Sequence, residues 1–241
     1  MKETYTEGQL RSKVNSIGWY HKIHVAQGVF TEPAVYFREV AELLDQGMAT
    51  IDFQGKSVLD IGTRDGKYAF EAEARGGIVT AIDNNPSEGF KFLWDFYDSK
   101  IEFLPLNLYE LDKEGKFDVI LFFGVLYHLR YPMNGLRILT QKLNPGGKMY
   151  IESGMMDDYH NLPLLHCPAR NSPYEVTSCS FFNIEGLEET LWSFGCTIKG
   201  WKKHPDQAGA RIRRYWIEAE KTHEPDPGVM GYWEGMHHSH A

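Results

Sequence analysis

Two aspartates, at 60 and 83, and two glycines, at 62 and 66, punctuate the stretch SVLDIGTRDGKYAFEAEARGGIVTAID, residues 57 to 83. An apolar run ends at Asp60, a helical pattern follows Gly66, and a second apolar run ends at Asp83. This reads as strand, glycine turn, helix and strand, a unit that brings backbone close to a nucleotide. A dinucleotide turn needs G-x-G-x-x-G so that a pyrophosphate can approach the backbone at the middle glycine. Here that position is Arg64, whose side chain would crowd a pyrophosphate. Asp60 points the same way, because a carboxylate repels paired phosphates and attracts a cation. The chemistry predicted is the holding of a positively charged cofactor, which disfavours an NAD-dependent oxidoreductase.

Further groups with chemical potential lie elsewhere. The segment FDVILFFGVLYHLRYP places Tyr127 and His128 just past an apolar run. An imidazole titrates near neutral pH and can act as a base, while an aromatic face attracts a cation. A backbone-bonded histidine and a packed tyrosine are the structural alternatives. Near the N-terminus, GWYHKIH gathers Trp19, Tyr20, His21, Lys22 and His24 in one loop. Such a cluster could close over substrate and exclude water, or pin the N-terminal segment to the core. Between Lys199 and Arg214 stand Lys199, Lys202, Lys203, Arg211, Arg213 and Arg214 against the single acid Asp206. The ordinary reading of such a run is a solvated strand face, with Arg214, at the start of the last strand, left open in direction. Asp157, Asp158, His160, His166 and Cys167, and the terminal His237, His238 and His240, have no regular ligand spacing, so no catalytic metal is expected.

The elements that must position these residues follow from periodicity. From residue 57 onward, short apolar runs alternate with amphipathic ones, the pattern of a parallel sheet with crossover helices. Strands are predicted at 57–61, 78–82, 101–104, 117–122, 147–152, 196–203 and 212–220. Helices fall near 66–75, 86–98, 131–143 and 183–194, the third stopped by NPGG. The last two strands lack a crossover helix and should pair antiparallel. Residues 9–50 read as two helical pieces separated by a stretch that Gly18, Gly28 and Pro33 break. Residues 154–182 show no clear period and sit past a strand's carboxyl end, where sheets of this class bind ligands. The organisation expected is a helical cap over 1–53, a core over 54–222 with a substrate-side insertion at 154–182, and a tail over 223–241 in which Tyr232 and Trp233 could dock.

Composition sets the outer bounds. With 241 residues, 42% of them hydrophobic, the chain can bury a sizeable core. Its 25 basic and 33 acidic residues leave a net charge of −8, which gives no global attraction to nucleic acid or an anionic membrane. Three cysteines without C-x-x-C spacing argue for a reducing, cytoplasmic location. No apolar leader or 18-residue apolar span is present.

Asp60-x-Gly62 with Gly66, followed by Asp83 one βαβ unit later, resembles the first motif of the class I S-adenosylmethionine-dependent methyltransferases. The segment 117–153 resembles the fourth and fifth strands of that class. Within it, GVLYHLRYP is most similar to the branch of tRNA wobble-uridine carboxymethyltransferases and their shorter small-molecule relatives. The resemblance implies an α/β fold: a Rossmann-like, seven-stranded, mostly parallel sheet with helices on both faces and an antiparallel last strand, plus the N-terminal cap. It implies that Gly62, Thr63, Arg64 and Gly66 pass under the cofactor's methionine portion. Asp60 would lie near its ammonium, Asp83 with Asn84 at the ribose, Asn107 and Leu108 at the adenine, and Gly124 under the sulfonium. Arg64 departs from a common glycine, and is read as reaching the methionine carboxylate or pointing to solvent.

On this reading His128 would be a base for a hydroxyl acceptor and Tyr127 would line the sulfonium pocket, while Trp19, Tyr20, His21 and Arg214 would contact substrate. In the branch, an arginine at the Arg214 position binds the extra carboxylate of carboxy-S-adenosylmethionine, which makes that donor a minor expectation beside S-adenosylmethionine and its product S-adenosylhomocysteine. The function expected is methyl transfer to oxygen or nitrogen of a small molecule in a biosynthetic pathway. The alternatives are a tRNA wobble-uridine methyl- or carboxymethyltransferase and a non-catalytic scaffold. A homodimer is left open.

Overall fold

A computed structural model describes residues 5–113, 115–157, 162–205 and 210–225. Tyr232, Trp233, His237, His238 and His240 of the expected tail lie outside the described residues, as do Asp158, His160 and Asp206. The chain divides between Glu110 and Leu111 into two compact units.

The first unit begins with α1 (Glu7–Asn15), which Thr6 and Gln9 close with a capping box, the Gln9 N–H donating to Thr6 Oγ1 and the Thr6 N–H to Gln9 Oε1. Strands β1 (His24–Ala26) and β2 (Val29–Phe30) follow as a small antiparallel hairpin. Its two turn residues, Gln27 and Gly28, have φ of 51° and 71°, as a tight turn matched to strand twist requires. The sequence announced a break here, and the structure makes it a hairpin. Helix α2 (Arg38–Met48) buries Leu43, Leu44 and Met48 along one stripe. Then β3 (Ser57–Ile61), α3 (Lys67–Ala74), β4 (Ile78–Asp83), α4 (Glu88–Tyr97) and β5 (Glu102–Pro105) alternate. The three strands are parallel, with Ser57 opposite Ile78 and Asp83 opposite Pro105. Val58 to Ile61 are all buried, as in a strand covered on both faces.

The second unit holds β6 (Phe117–Phe123), a 3-10 turn at Leu126–His128, α5 (Pro132–Gln141), β7 (Leu143–Met156), β8 (Leu165–His166), β9 (Phe181–Phe182), α6 (Ile184–Ser193), β10 (Cys196–Lys203) and β11 (Ile212–Lys221). Pro132 opens α5 at a position where its missing N–H costs nothing. β6 and β7 are parallel, whereas β11 pairs antiparallel with both β7 and β10. β7 runs 14 residues, well past the predicted 147–152, because β11 pairs with it out to Ile212 opposite Met156. The stretch without a clear period, 154–182, therefore begins as strand, and later contributes the β8–β9 pair. With β3, β4 and β5, strands β6, β7, β10 and β11 complete the seven-stranded, mostly parallel sheet with antiparallel last strands that the sequence predicts, while β8 and β9 form a sheet of their own. Among the described residues no helix is long and apolar enough to cross a membrane.

Candidate functional site

The turn after β3 is built from three left-handed residues, Gly62 at φ 72°, Arg64 at 53° and Gly66 at 80°. The N–H groups of Gly62 and Thr63 both donate to the Ile82 carbonyl, at 2.8 and 3.2 Å, which fixes the turn to the end of β4. Gly66 is required twice over. Besides its φ, a Cβ there would stand 2.4 Å from the Phe70 ring and 2.8 Å from Phe90. Arg64 has no such exemption, and a side chain in this region costs about 1–2 kcal/mol. Its N–H donates to Asp83 Oδ2 at 3.0 Å, while the Asn84 N–H donates to Oδ1 at 2.7 Å, so both Asp83 oxygens are held by backbone. The Arg64 guanidinium lies 5.6 Å from the centre of the Tyr20 ring.

Asp60 is buried beneath this turn, and neither its Oδ2 nor Thr63 Oγ1 has a hydrogen-bond partner. Burial raises its carboxyl to about 7, and the Asp83 carboxylate adds to the rise. Asn107, expected at the adenine, is a turn residue here. Its Oδ1 accepts the Tyr109 N–H at 3.1 Å, and its own N–H donates to Glu110 Oε2 at 3.0 Å. Leu108 beside it is buried.

The aromatic loop divides by residue. Trp19 is spent on packing: it is buried, its indole N–H donates to the Val14 carbonyl at 2.8 Å, and its ring occupies the space a Cβ would take at Gly89. Tyr20 is 55% exposed. His21 is half-buried and its pKa falls to about 4, first through loss of water around the charged form, with Asp65 opposing and Lys67 and Arg64 adding. A residue the sequence reading passed over organises this loop. Asp65, only 1% exposed, accepts the N–H groups of Tyr20 at 2.5 Å and His21 at 3.0 Å, and the Ser87 hydroxyl at 3.1 Å. An acid inside a glycine turn, with no local partner, was its only trace in the sequence.

In the second unit, Gly124 (φ 68°) ends β6 and donates its N–H to the Glu152 carbonyl at 2.9 Å. The 3-10 turn that follows is clamped by the chain returning toward β9. The N–H groups of Cys179 and Ser180 donate to the Tyr127 carbonyl, and the Ser180 hydroxyl reaches the carbonyls of Leu126 and Leu129. Arg214 turns inward, which the sequence left open. Its guanidinium makes two 2.5 Å bonds to the fully buried Glu152 carboxylate, donates to Tyr127 Oη at 2.8 Å and Tyr174 Oη at 3.3 Å, and lies 4.7 Å from the Tyr127 ring centre. The cation that Tyr127 attracts is thus the chain's own Arg214. Burial pushes the Tyr127 phenol upward, with Arg214 opposing.

His128 is half-buried, its Nδ1 3.3 Å from the Thr177 carbonyl and its Nε2 3.9 Å from Glu175 Oε2. Donation from Nδ1 leaves Nε2 as the basic nitrogen. The basic run is not the plain solvated face expected of it. Lys203 and Arg213 both pair with Asp157 at 2.9 Å, and Arg213 and Arg214 are buried. His166 stacks on Phe181 and Cys167 is exposed. Among the described residues no three His, Cys, Asp or Glu side chains gather as metal ligands.

A seven-stranded sheet of this order, with an acid–glycine turn after its first parallel strand and an acid ending the next, defines a Rossmann-like methyltransferase fold. The chain belongs to the methyltransferase domain family, whose model matches residues 32–199. It is 34% identical over 161 residues to the tRNA U34 carboxymethyltransferase of Helicobacter hepaticus, covering 62% of this chain and 47% of that one. It is 32% identical over 124 residues to the tRNA U34 carboxymethyltransferase of Nautilia profundicola, covering 50% and 41%. The chain thus spans about half or less of the curated relatives it matches. Among solved structures, it is similar to the 1,6-didemethyltoxoflavin-N1-methyltransferase of Burkholderia thailandensis, crystallised with 1,6-didemethyltoxoflavin and S-adenosylhomocysteine. The TM-score is 0.58 at 22% identity over 77% of each chain, a likeness of fold.

Proposed function

We propose that this chain is an S-adenosylmethionine-dependent methyltransferase acting on an oxygen or nitrogen of a small molecule. The observation that carries the cofactor is the pair of buried, unpartnered oxygens under the first turn, Asp60 Oδ2 and Thr63 Oγ1. Buried polar atoms without partners are costly, and a cationic amine would satisfy both, so these residues fit such a donor. Asp83 adds acceptor capacity, because each of its oxygens keeps a lone pair beyond its backbone bond, enough for two ribose hydroxyls. Asn107 and Leu108 suit an adenine edge and face. When bound, the cofactor supplies a methyl carbon already activated by sulfonium, and S-adenosylhomocysteine is released. The chain's own part is to orient the reactants and, for a hydroxyl acceptor, to take its proton on His128 Nε2.

Transfer of methyl is favoured over carboxymethyl because Glu152 already takes both arms of the Arg214 fork. An additional carboxylate would have to displace that bidentate, buried partner. Calorimetry with S-adenosylmethionine, S-adenosylhomocysteine and carboxy-S-adenosylmethionine tests the reading. Binding of the first two is expected, and heat from neither would sink it in favour of a scaffold.

A second reading, modification of tRNA at the wobble uridine, is favoured by the names of the curated relatives. The acidic net charge of −8 weighs against it.

A further inference from the structure

We propose that Asp65 is a positioning residue that latches residues 19–23 as a lid on the β3–α3 turn, with Tyr20 and Arg64 as the edge of that lid. The inference rests on the methyltransferase reading of the turn. It starts from an imbalance between cost and reward in one short segment. A buried carboxylate persists only when its lone pairs are used, and Asp65, itself in the β3–α3 turn, uses them on two segments far from it in sequence: the backbone of Tyr20 and His21, and the Ser87 hydroxyl. Ser87 Oγ is also the N-cap of α4, accepting the Phe90 N–H at 2.9 Å, so one acid joins the loop, the turn and the start of a helix.

A second fastener acts from the other side of the loop. The Thr31 hydroxyl donates to the His21 carbonyl at 2.6 Å and accepts the Ile23 N–H at 2.8 Å. The segment is therefore pinned at both flanks. The His21 ring turns inward against Tyr68, with its Nδ1 buried and unpartnered 3.8 Å from Asp65, so the backbone and not the imbidazole takes the acid's hydrogen bonds. What this scaffolding presents outward is Tyr20, an exposed aromatic, beneath the guanidinium of a residue held in left-handed backbone. A latch serving stability alone would gain nothing from an exposed ring or from Arg64 where glycine costs less. A lid that retains a bound nucleoside at the turn accounts for both.

The test uses the full chain, with S-adenosylhomocysteine as the probe. In the wild type the amides of Tyr20 and His21 should exchange with deuterium at least 100-fold slower than free peptide, and slower still with the probe bound. Asp65→Ala should raise exchange across residues 19–23 at least tenfold, leave β3 protected, and speed probe dissociation about tenfold. Asp65→Asn, whose amide oxygen can accept the same two N–H groups, should recover part of both effects. Tyr20→Ala, at an exposed position, should speed dissociation without loosening the amides, and it decides the matter should Asp65→Ala not fold. Unprotected Tyr20 and His21 amides in the wild type, or dissociation unchanged in Tyr20→Ala or in a folded Asp65→Ala, would overturn the latch. A wild type that binds no probe at all would defeat the methyltransferase reading, and protected amides would then mark Asp65 as purely structural.

Discussion

Asp60 and Asp83 end two neighbouring parallel strands, and their environments push them apart in role. Asp60, buried, holds its proton up to about 7, whereas an unperturbed carboxyl releases it near about 4. Its folded pKa is raised, so the native chain binds a proton that the unfolded chain has lost between those values. Stability from this group therefore falls as pH rises from about 4 to about 7. His21 acts oppositely: its folded pKa is lowered to about 4, so stability is lost as pH falls from about 6.5 toward 4. Comparison of Asp60→Asn with wild type isolates the first term. The variant should gain stability relative to wild type above pH 7, and that advantage should shrink as pH falls and vanish near pH 4, as read by thermal melts. S-adenosylmethionine should bind the wild type more tightly as pH rises through 7, with release of a proton. A pH-independent affinity would remove Asp60 from the cofactor. Asp83→Ala should weaken the same binding by about 1.5–3 kcal/mol, the worth of charge-assisted hydrogen bonds, and unchanged calorimetric affinity would contradict its ribose role. Both acids could be picked out in the sequence because each closes an apolar run. Asp65 could not, since its partners lie 45, 44 and 22 residues away.

At the scale of elements, the β3–α3 turn makes opposite demands at Gly66 and Arg64. Gly66→Ala must place a Cβ inside van der Waals contact of Phe70 and Phe90 while holding positive φ, and should cost about 2–4 kcal/mol in denaturant unfolding. Arg64→Gly relieves left-handed strain and should leave stability unchanged or raise it by up to about 1 kcal/mol. Should Arg64→Gly instead lower cofactor affinity tenfold, the side chain would be assigned to the methionine carboxylate. The long strands and helices were readable because apolar spacing declares them. The two-residue strands β2, β8 and β9 were not, being too short for any period and defined by their partners alone. β7 outran its prediction for the same reason, since its far end follows from pairing with β11 out to Met156 and its start, Leu143, from pairing with Phe117 of β6.

For the molecule as a whole, charge is the property that separates the two substrate readings. A tRNA-binding chain neutralises phosphates with cations and loses affinity steeply as salt rises. Here the net charge is −8, and the strongest basic run is partly consumed internally, by Asp157 for Lys203 and Arg213 and by Glu152 for Arg214. Filter binding of unmodified tRNA between 50 and 200 mM salt, concentrations over which about 10³–10⁵ in affinity is lost by a protein with many phosphate contacts, is expected to show no salt-sensitive specific affinity. A steep salt slope with tight binding at low salt would instead favour the wobble-uridine reading.

The sequence alone determined the order of the long strands and helices, the glycine turn with its two acids, and the methyltransferase family, because each is written in local spacing. Tertiary structure decided which acid latches the aromatic loop, that Trp19 packs while Tyr20 is exposed, and that Arg214 faces inward onto Glu152. Those outcomes depend on burial and on hydrogen bonds between residues tens of positions apart, and such pairings leave no periodic mark along the chain.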